Sequence, residues 1–151
     1  MIKTSIVWFS SDLRLHDNET LVRAIEQSQE IVPVYCFDEA HFNLSEFGFK
    51  RTGSFRAQFI LEALQNLDNS LRAKGSGLII VIGKPEEEIF KLAQIYNAKK
   101  VFAKREVAHE EKVTQELLEK KLWIGIGALA SIFYDNRHDD HIEAMRCRYV
   151  D

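Results

Sequence analysis

Between Lys104 and Glu111 the chain crowds together Lys104, Arg105, Glu106, His109, Glu110 and Glu111, directly after the short apolar run that ends at Ala103. This is a dense group of polar side chains opening a helix. Taken alone, it reads as a capped, solvated helix start. A second polar set, Asp12, Arg14, His16 and Asp17, has the residue types of a catalytic group, but an Asp–Arg pair in a capping loop is ordinarily structural. His138, Asp139, Asp140 and His141 resemble metal ligands only in type, and two histidines at that spacing are a weak signal, so no metal is expected. The chain contains neither G-x-G-x-x-G nor G-x-x-x-x-G-K-[ST], so ordinary dinucleotide or P-loop binding lacks its phosphate cradle.

The elements that must position these groups follow from hydrophobic pattern. Ser5 to Phe9 is a β-branched and aromatic run of strand length, Ser10 to Asn18 is a polar loop ending in two good N-caps, and Leu21, Val22 and Ile25 recur at helical spacing. Ile31 to Phe37 reads as a second buried strand, with Pro33 tolerated near its start. Asp38 to Gly53 is a long connection carrying Phe42, Phe47 and Phe49, with Lys50, Arg51 and Arg56 at its end. Such loops are often functional, although its phenylalanines could equally pin it to the core. Phe55, Phe59, Ala63, Leu64, Leu67 and Leu71 mark an amphipathic helix that ends at Lys74 to Gly77. Leu78 to Ile82 is a fully apolar third strand. The next helix starts at Pro85, carries three glutamates in its first turn, and buries Ile89, Leu92, Ala93 and Tyr96. Lys100 to Ala103 is a fourth strand, and Glu106 to Leu122 is a helix with Val113, Leu117 and Leu118 inward. Leu122 to Phe133 supplies a fifth strand, weakened by Gly125 and Gly127, and core burial accounts for both Trp8 and Trp123.

Alternating strands and helices with short connections predict an α/β fold, a half-Rossmann-like parallel five-stranded sheet of order 3-2-1-4-5 with helices on both faces. In that order the loops after strands 1 and 4 flank a crevice at the switch point, where open α/β sheets bind ligands. They are Ser10 to Asn18 and Lys104 to Glu110. Residues 1–133 form the domain and 134–151 a tail of uncertain structure.

At 151 residues the chain is long enough for one real core, and 46% hydrophobic with 28% charged residues reads as soluble and globular. A formal charge of -3 argues against a freestanding nucleic-acid binder. Cys36 and Cys147 lie far apart, which fits a reducing, cytoplasmic compartment better than a disulfide framework. The first residues fit neither a signal peptide nor a membrane span.

"VWF" followed by "DLRLHDN", then "PVYCFDEAHF", "KRTGSFRAQFILEAL", "GKPEEEIFKLA" and "KREVAHEE", resemble in order the N-terminal blocks of the photolyase/cryptochrome flavoproteins, most of all the DASH cryptochromes. The resemblance spans about residues 2 to 122. One departure is Ser10-Ser11, where relatives usually carry Arg followed by Arg or Asn. The resemblance implies a blue-light deoxyribodipyrimidine photolyase or DASH cryptochrome, which repairs cyclobutane pyrimidine dimers in DNA by electron transfer from reduced FAD. It implies that FAD and the lesion belong to a C-terminal helical domain outside these residues, which is the partner of this domain. The chain alone is then catalytically silent and serves as an antenna domain, with DNA met only through the full-length protein and no membrane involved.

The resemblance also implies where an antenna pigment would sit. In folate-binding relatives a glutamate shortly after "EV" hydrogen-bonds the pterin ring, whose edge offers N–H donors. Spacing leaves His109 or Glu110 as the equivalent. Glu110 is preferred for its chemistry, with Glu106 and Arg105 beside it, and methenyltetrahydrofolate as the pigment. Some relatives hold a flavin or deazaflavin after strand 2. Candidates there are Cys36, Phe37, Asp38, Arg51 and Phe55, the rings to stack and Arg51 to hold phosphate or carboxylate; a core Cys and Phe with Arg51 paired to an acid is the plainer reading. Two rival classes remain: a small-molecule or nucleotide-binding α/β domain, and a non-enzymatic docking module, which an exposed apolar patch would favour.

Overall fold

The computed structural model describes residues 2–42, 53–106, 108–127 and 129–133. Strands β1 (Ile2–Phe9), β2 (Ser28–Asp38), β3 (Ile79–Gly83), β4 (Lys100–Lys104) and β5 (Leu129–Phe133) form one parallel sheet, ordered β3-β2-β1-β4-β5 as the sequence predicts. Helices α1 (Glu19–Gln27), α2 (Glu39–Phe42), α3 (Ser54–Arg72), α4 (Pro85–Ile95) and α5 (His109–Ile126) complete it.

β1 is the centre because every residue from Thr4 to Phe9 is buried. Successive side chains of a strand point to opposite faces, so Ile6 and Trp8 join α4 and α5 in one core, with Ile89, Leu92, Leu118 and Leu122. Val7 and Phe9 join α1 and α3 in the other, with Leu21, Ala24, Leu67, Leu71 and Phe102. Each fully buried large side chain contributes about 1.5–3 kcal/mol by leaving water. Local chemistry sets the helix ends. Asn18 caps α1 by accepting from the Leu21 N–H at 3.1 Å, and Asp68 of α3 accepts from the Leu78 N–H at 2.9 Å, which fixes the entry to β3.

The structure corrects several expectations. β3 ends the sheet, so its second face is only partly covered and Ile80 and Ile82 are 47% and 69% exposed. α3 buries Leu64, Leu67 and Leu71 in its C-terminal half, which leaves Phe55 and Phe59 at 89% and 71% exposure. Val22, Ile25, Tyr96, Val113 and Leu117 are also exposed, because one stripe of each helix is enough to reach the sheet. α5 starts at His109, after an extended turn, and runs on to Ile126 where strand character was expected. Trp123 therefore lies on a helix surface, 59% exposed, instead of in the core.

The glycines explain this extension. A Cβ on Gly125 would lie 2.7 Å from Phe90 Cζ, so a bare Cα lets α5 close on α4. Gly127, at φ 63°, ends the helix in the left-handed conformation that glycine adopts without strain. The chain then turns into β5, whose Leu129–Phe133 ladder pairs with Lys100–Lys104. The connection from 43 to 52 and the tail from 134 to 151 lie outside the described residues, as do Arg51 and the His138–His141 group.

Candidate functional site

The two switch-point loops meet at the carboxyl edge of β1 and β4. After β1, Asp12 Oδ1 accepts from the Ser10 N–H at 3.1 Å, and the carboxylate receives Asn18 Nδ2 at 3.4 Å. Asn18 Nδ2 also donates to the Arg14 carbonyl at 3.0 Å. Arg14 itself bonds the Asp17 carbonyl at 3.2 Å, so these bonds hold the loop after β1 together. Burial pushes the Asp12 carboxyl above its ordinary range, against the lowering effect of the Ser10 N–H and of Lys104.

After β4, a residue that sequence reasoning missed holds the loop. Gln115, on the inner side of α5 and 1% exposed, donates from Nε2 to the Lys104 carbonyl at 2.7 Å and accepts at Oε1 from the Glu106 N–H at 3.3 Å. The Glu106 side chain reaches across to the other loop. Its Oε1 accepts from Ser10 Oγ at 2.5 Å and from Ser11 Oγ at 3.2 Å. The strand order brings these loops side by side, and this carboxylate ties them.

Beside them opens a cleft of about 490 Å³. Trp8, Ser10, Ser11 and Leu13 come from β1 and its loop, and Tyr35, Cys36 and Asp38 from the end of β2. Helix α3 adds Arg56, Phe59 and Ile60, and Pro85 closes one side. Glu106, Glu110, Glu111, Thr114 and Gln115 complete the wall. The groups expected after strand 2 and after strand 4 thus converge on a single space. Cys36 donates from Sγ to the Gly83 carbonyl at 3.6 Å, and burial, reinforced by Asp38 and the α4 glutamates Glu88 and Glu86, pushes its thiol up to about 12. Burial also raises the Tyr35 phenol.

Of the residues singled out from sequence, Cys36, Asp38, Glu106 and Glu110 line the cleft. Arg105 and His109 sit beside it without lining it. Phe37 packs edge-on against Tyr35, with ring centroids 5.0 Å apart, and Phe55 projects into solvent at the start of α3. Arg51 is outside the described residues. Trp8, Tyr35 and Phe59 were missed as walls because aromatic residues on strands and helices read as core. For Phe59 the signal was its place one turn beyond Phe55.

The arrangement suits a flat ligand with N–H donors: carboxylates to accept them and the rings of Trp8, Tyr35 and Phe59 to lie against. Among the described residues, no group of three or more His, Cys, Asp or Glu is placed to hold a metal ion, and no helix is long and apolar enough to cross a membrane.

Comparison with known proteins places the architecture. Blue-light photoreceptor PHR2 of Arabidopsis thaliana is 43% identical over 117 residues, covering 78% of this chain and 26% of that protein. Cryptochrome DASH of Synechocystis sp. is 41% identical over 121 residues, covering 80% and 25%. The chain therefore spans about a quarter of the length of these curated relatives. The crystal structure of a Synechocystis sp. cryptochrome superposes with a TM-score of 0.83 at 36% identity, over 89% of this chain and 28% of that one. The family profile described as DNA photolyase matches residues 5–130, from the middle of β1 into β5, and so takes in both switch-point loops and the cleft between them: the chain belongs to the DNA photolyase family.

Proposed function

We propose that the cleft holds an antenna pigment, methenyltetrahydrofolate, and that residues 1–133 are the light-harvesting domain of a blue-light photolyase or DASH-type cryptochrome. The observation that carries this reading is the placing of Glu106 and Glu110 on the wall of a switch-point cleft that also presents Trp8, Tyr35 and Phe59. A pterin is flat and carries N–H donors along one edge, and a carboxylate accepts them in charge-assisted hydrogen bonds. The lining fits that group. Asp38, Glu106, Glu110 and Glu111 outnumber Arg56, the one cation among the described lining residues. These carboxylates are the acceptors that a pterin edge requires, and flavin and deazaflavin are the alternatives. Folate carries its own carboxylates at the end remote from the ring.

When bound, the folate supplies light absorption and excitation transfer to a flavin; the residues of this chain bind it, orient it and exclude water. In this reading the full-length protein, acting in the cytoplasm, carries FAD in a C-terminal helical domain docked to this one. Its activity is light-driven repair of cyclobutane pyrimidine dimers in DNA. This chain alone neither binds FAD nor repairs DNA.

The test is reconstitution of the full-length protein with methenyltetrahydrofolate. Stoichiometric uptake is expected, and Glu106→Gln and Glu110→Gln should each weaken it by ~1.5–3 kcal/mol where the contact is shielded from water. Absence of uptake, or parental affinity in both variants, overturns the assignment.

A further inference from the structure

We infer that Ser10 and Ser11 are positioning residues that set which ligands the cleft accepts, by holding Glu106 as a one-sided acceptor; the inference rests on the pigment reading above. Both hydroxyls donate to the same oxygen, Glu106 Oε1, at 2.5 Å and 3.2 Å. A serine hydroxyl has a single proton to give, so both are committed to that oxygen. Among the described residues Oε2 accepts no hydrogen bond. Main-chain freedom is removed separately, since the Glu106 N–H is held by the buried Gln115 at 3.3 Å. With its backbone and one oxygen fixed, the carboxylate presents its second oxygen at a set place on the cleft wall.

The means of fixing matters as much as the fixing. A lysine or arginine in the same position would orient Glu106 but cancel its charge. Two neutral hydroxyls orient it without themselves cancelling its charge. A ligand edge bearing N–H donors meets a preset acceptor, whereas a phosphate meets repulsion. Discrimination between partners is gained from such repulsion as well as from attraction.

The experiment titrates the full-length protein carrying these residues with methenyltetrahydrofolate and, separately, with FMN. The parent should bind folate and reject FMN. The S10A/S11A pair should bind folate about tenfold more weakly, while S10T/S11T, which keeps both hydroxyls, should stay within about threefold of the parent. In a Glu106→Ala background the two serine-to-alanine changes should cost nothing further, since pairs that act through one group are not additive. Parental folate affinity in S10A/S11A overturns the inference and leaves the pigment reading intact. A serine effect that persists undiminished without Glu106 also overturns it, by showing that the hydroxyls act elsewhere. Uptake of FMN in preference to folate by the parent overturns both readings together.

Discussion

Replacing Gln115 with Met keeps the length of the side chain and deletes both hydrogen bonds that fix the β4–α5 loop. The Lys104 carbonyl loses a donor at 2.7 Å and the Glu106 N–H loses an acceptor at 3.3 Å, both in partly buried surroundings. Leaving a buried backbone group unpaired costs about 1–3 kcal/mol. The shorter bond belongs toward the upper end of that range, the longer one toward the lower, and burial of a thioether in place of an amide returns part of the loss. A net destabilisation of about 2–3 kcal/mol results. With a urea m-value of roughly 1–3 kcal/mol/M for a chain this size, the midpoint should fall by about 1 M at unchanged m, followed by far-ultraviolet circular dichroism. Gln115→Glu sharpens the test. At neutral pH its second oxygen confronts the Lys104 carbonyl, so it should be at least as damaging as Met; protonation at mildly acidic pH restores a donor and should recover part of the stability. A Gln115→Met stability within about 0.5 kcal/mol of the parent, or a Gln115→Glu defect indifferent to pH, would refute the clamp.

Val7→Ala should cost ~2–3 kcal/mol, because β1 is covered on both faces, whereas Ile82→Ala on the exposed face of β3 should change stability by less than about 0.5 kcal/mol; equal shifts in thermal midpoint would contradict the assigned burial. Asp12 holds its proton more tightly folded than unfolded, so its contribution to stability falls as pH rises from the usual carboxylate value through the raised one; Asp12→Asn should flatten that part of a stability–pH profile. Asp68 has the opposite sign, since the Leu78 N–H and Arg72 lower its pKa. The stability it adds is present above the ordinary carboxylate value and lost as pH falls through the lowered one, and Asp68→Asn should remove that loss. With its thiol near 12, Cys36 should resist iodoacetamide at pH 8 in the native protein and react on unfolding, and rapid native alkylation would show the site to be open.

The sheet order was readable because each strand is an apolar run followed by turn chemistry and a helical repeat, and parallel crossovers leave few ways to assemble such units. What failed was the judgement of which faces are covered. Ile80 and Ile82 have the composition of an interior strand, and only the arrangement in space shows them exposed at the margin of the sheet. The cleft was half visible. Cys36, Asp38, Glu106 and Glu110 were found because their place after strands 2 and 4 mattered more than their type. Gln115 escaped notice because a lone amide inside a charged helix looks like surface, and its importance lies in two backbone groups distant in sequence. Ser10 and Ser11 stood out as departures from the family pattern, yet their purpose became clear only once Glu106 lay across from them.

The position of β3 at the margin of the sheet also bears on how the chain behaves in solution. Among the described residues nothing pairs with its outer side, so a row of backbone donors and acceptors lies open along a short segment flanked by isoleucine side chains. Natural sheets commonly blunt such a margin with lysine, proline or a bulge, and Ile79–Gly83 has none of these. An open margin of this kind is a template for edge-to-edge aggregation. Handled by itself, the chain should lose solubility through this strand first, and a single lysine at Ile82 is the economical remedy.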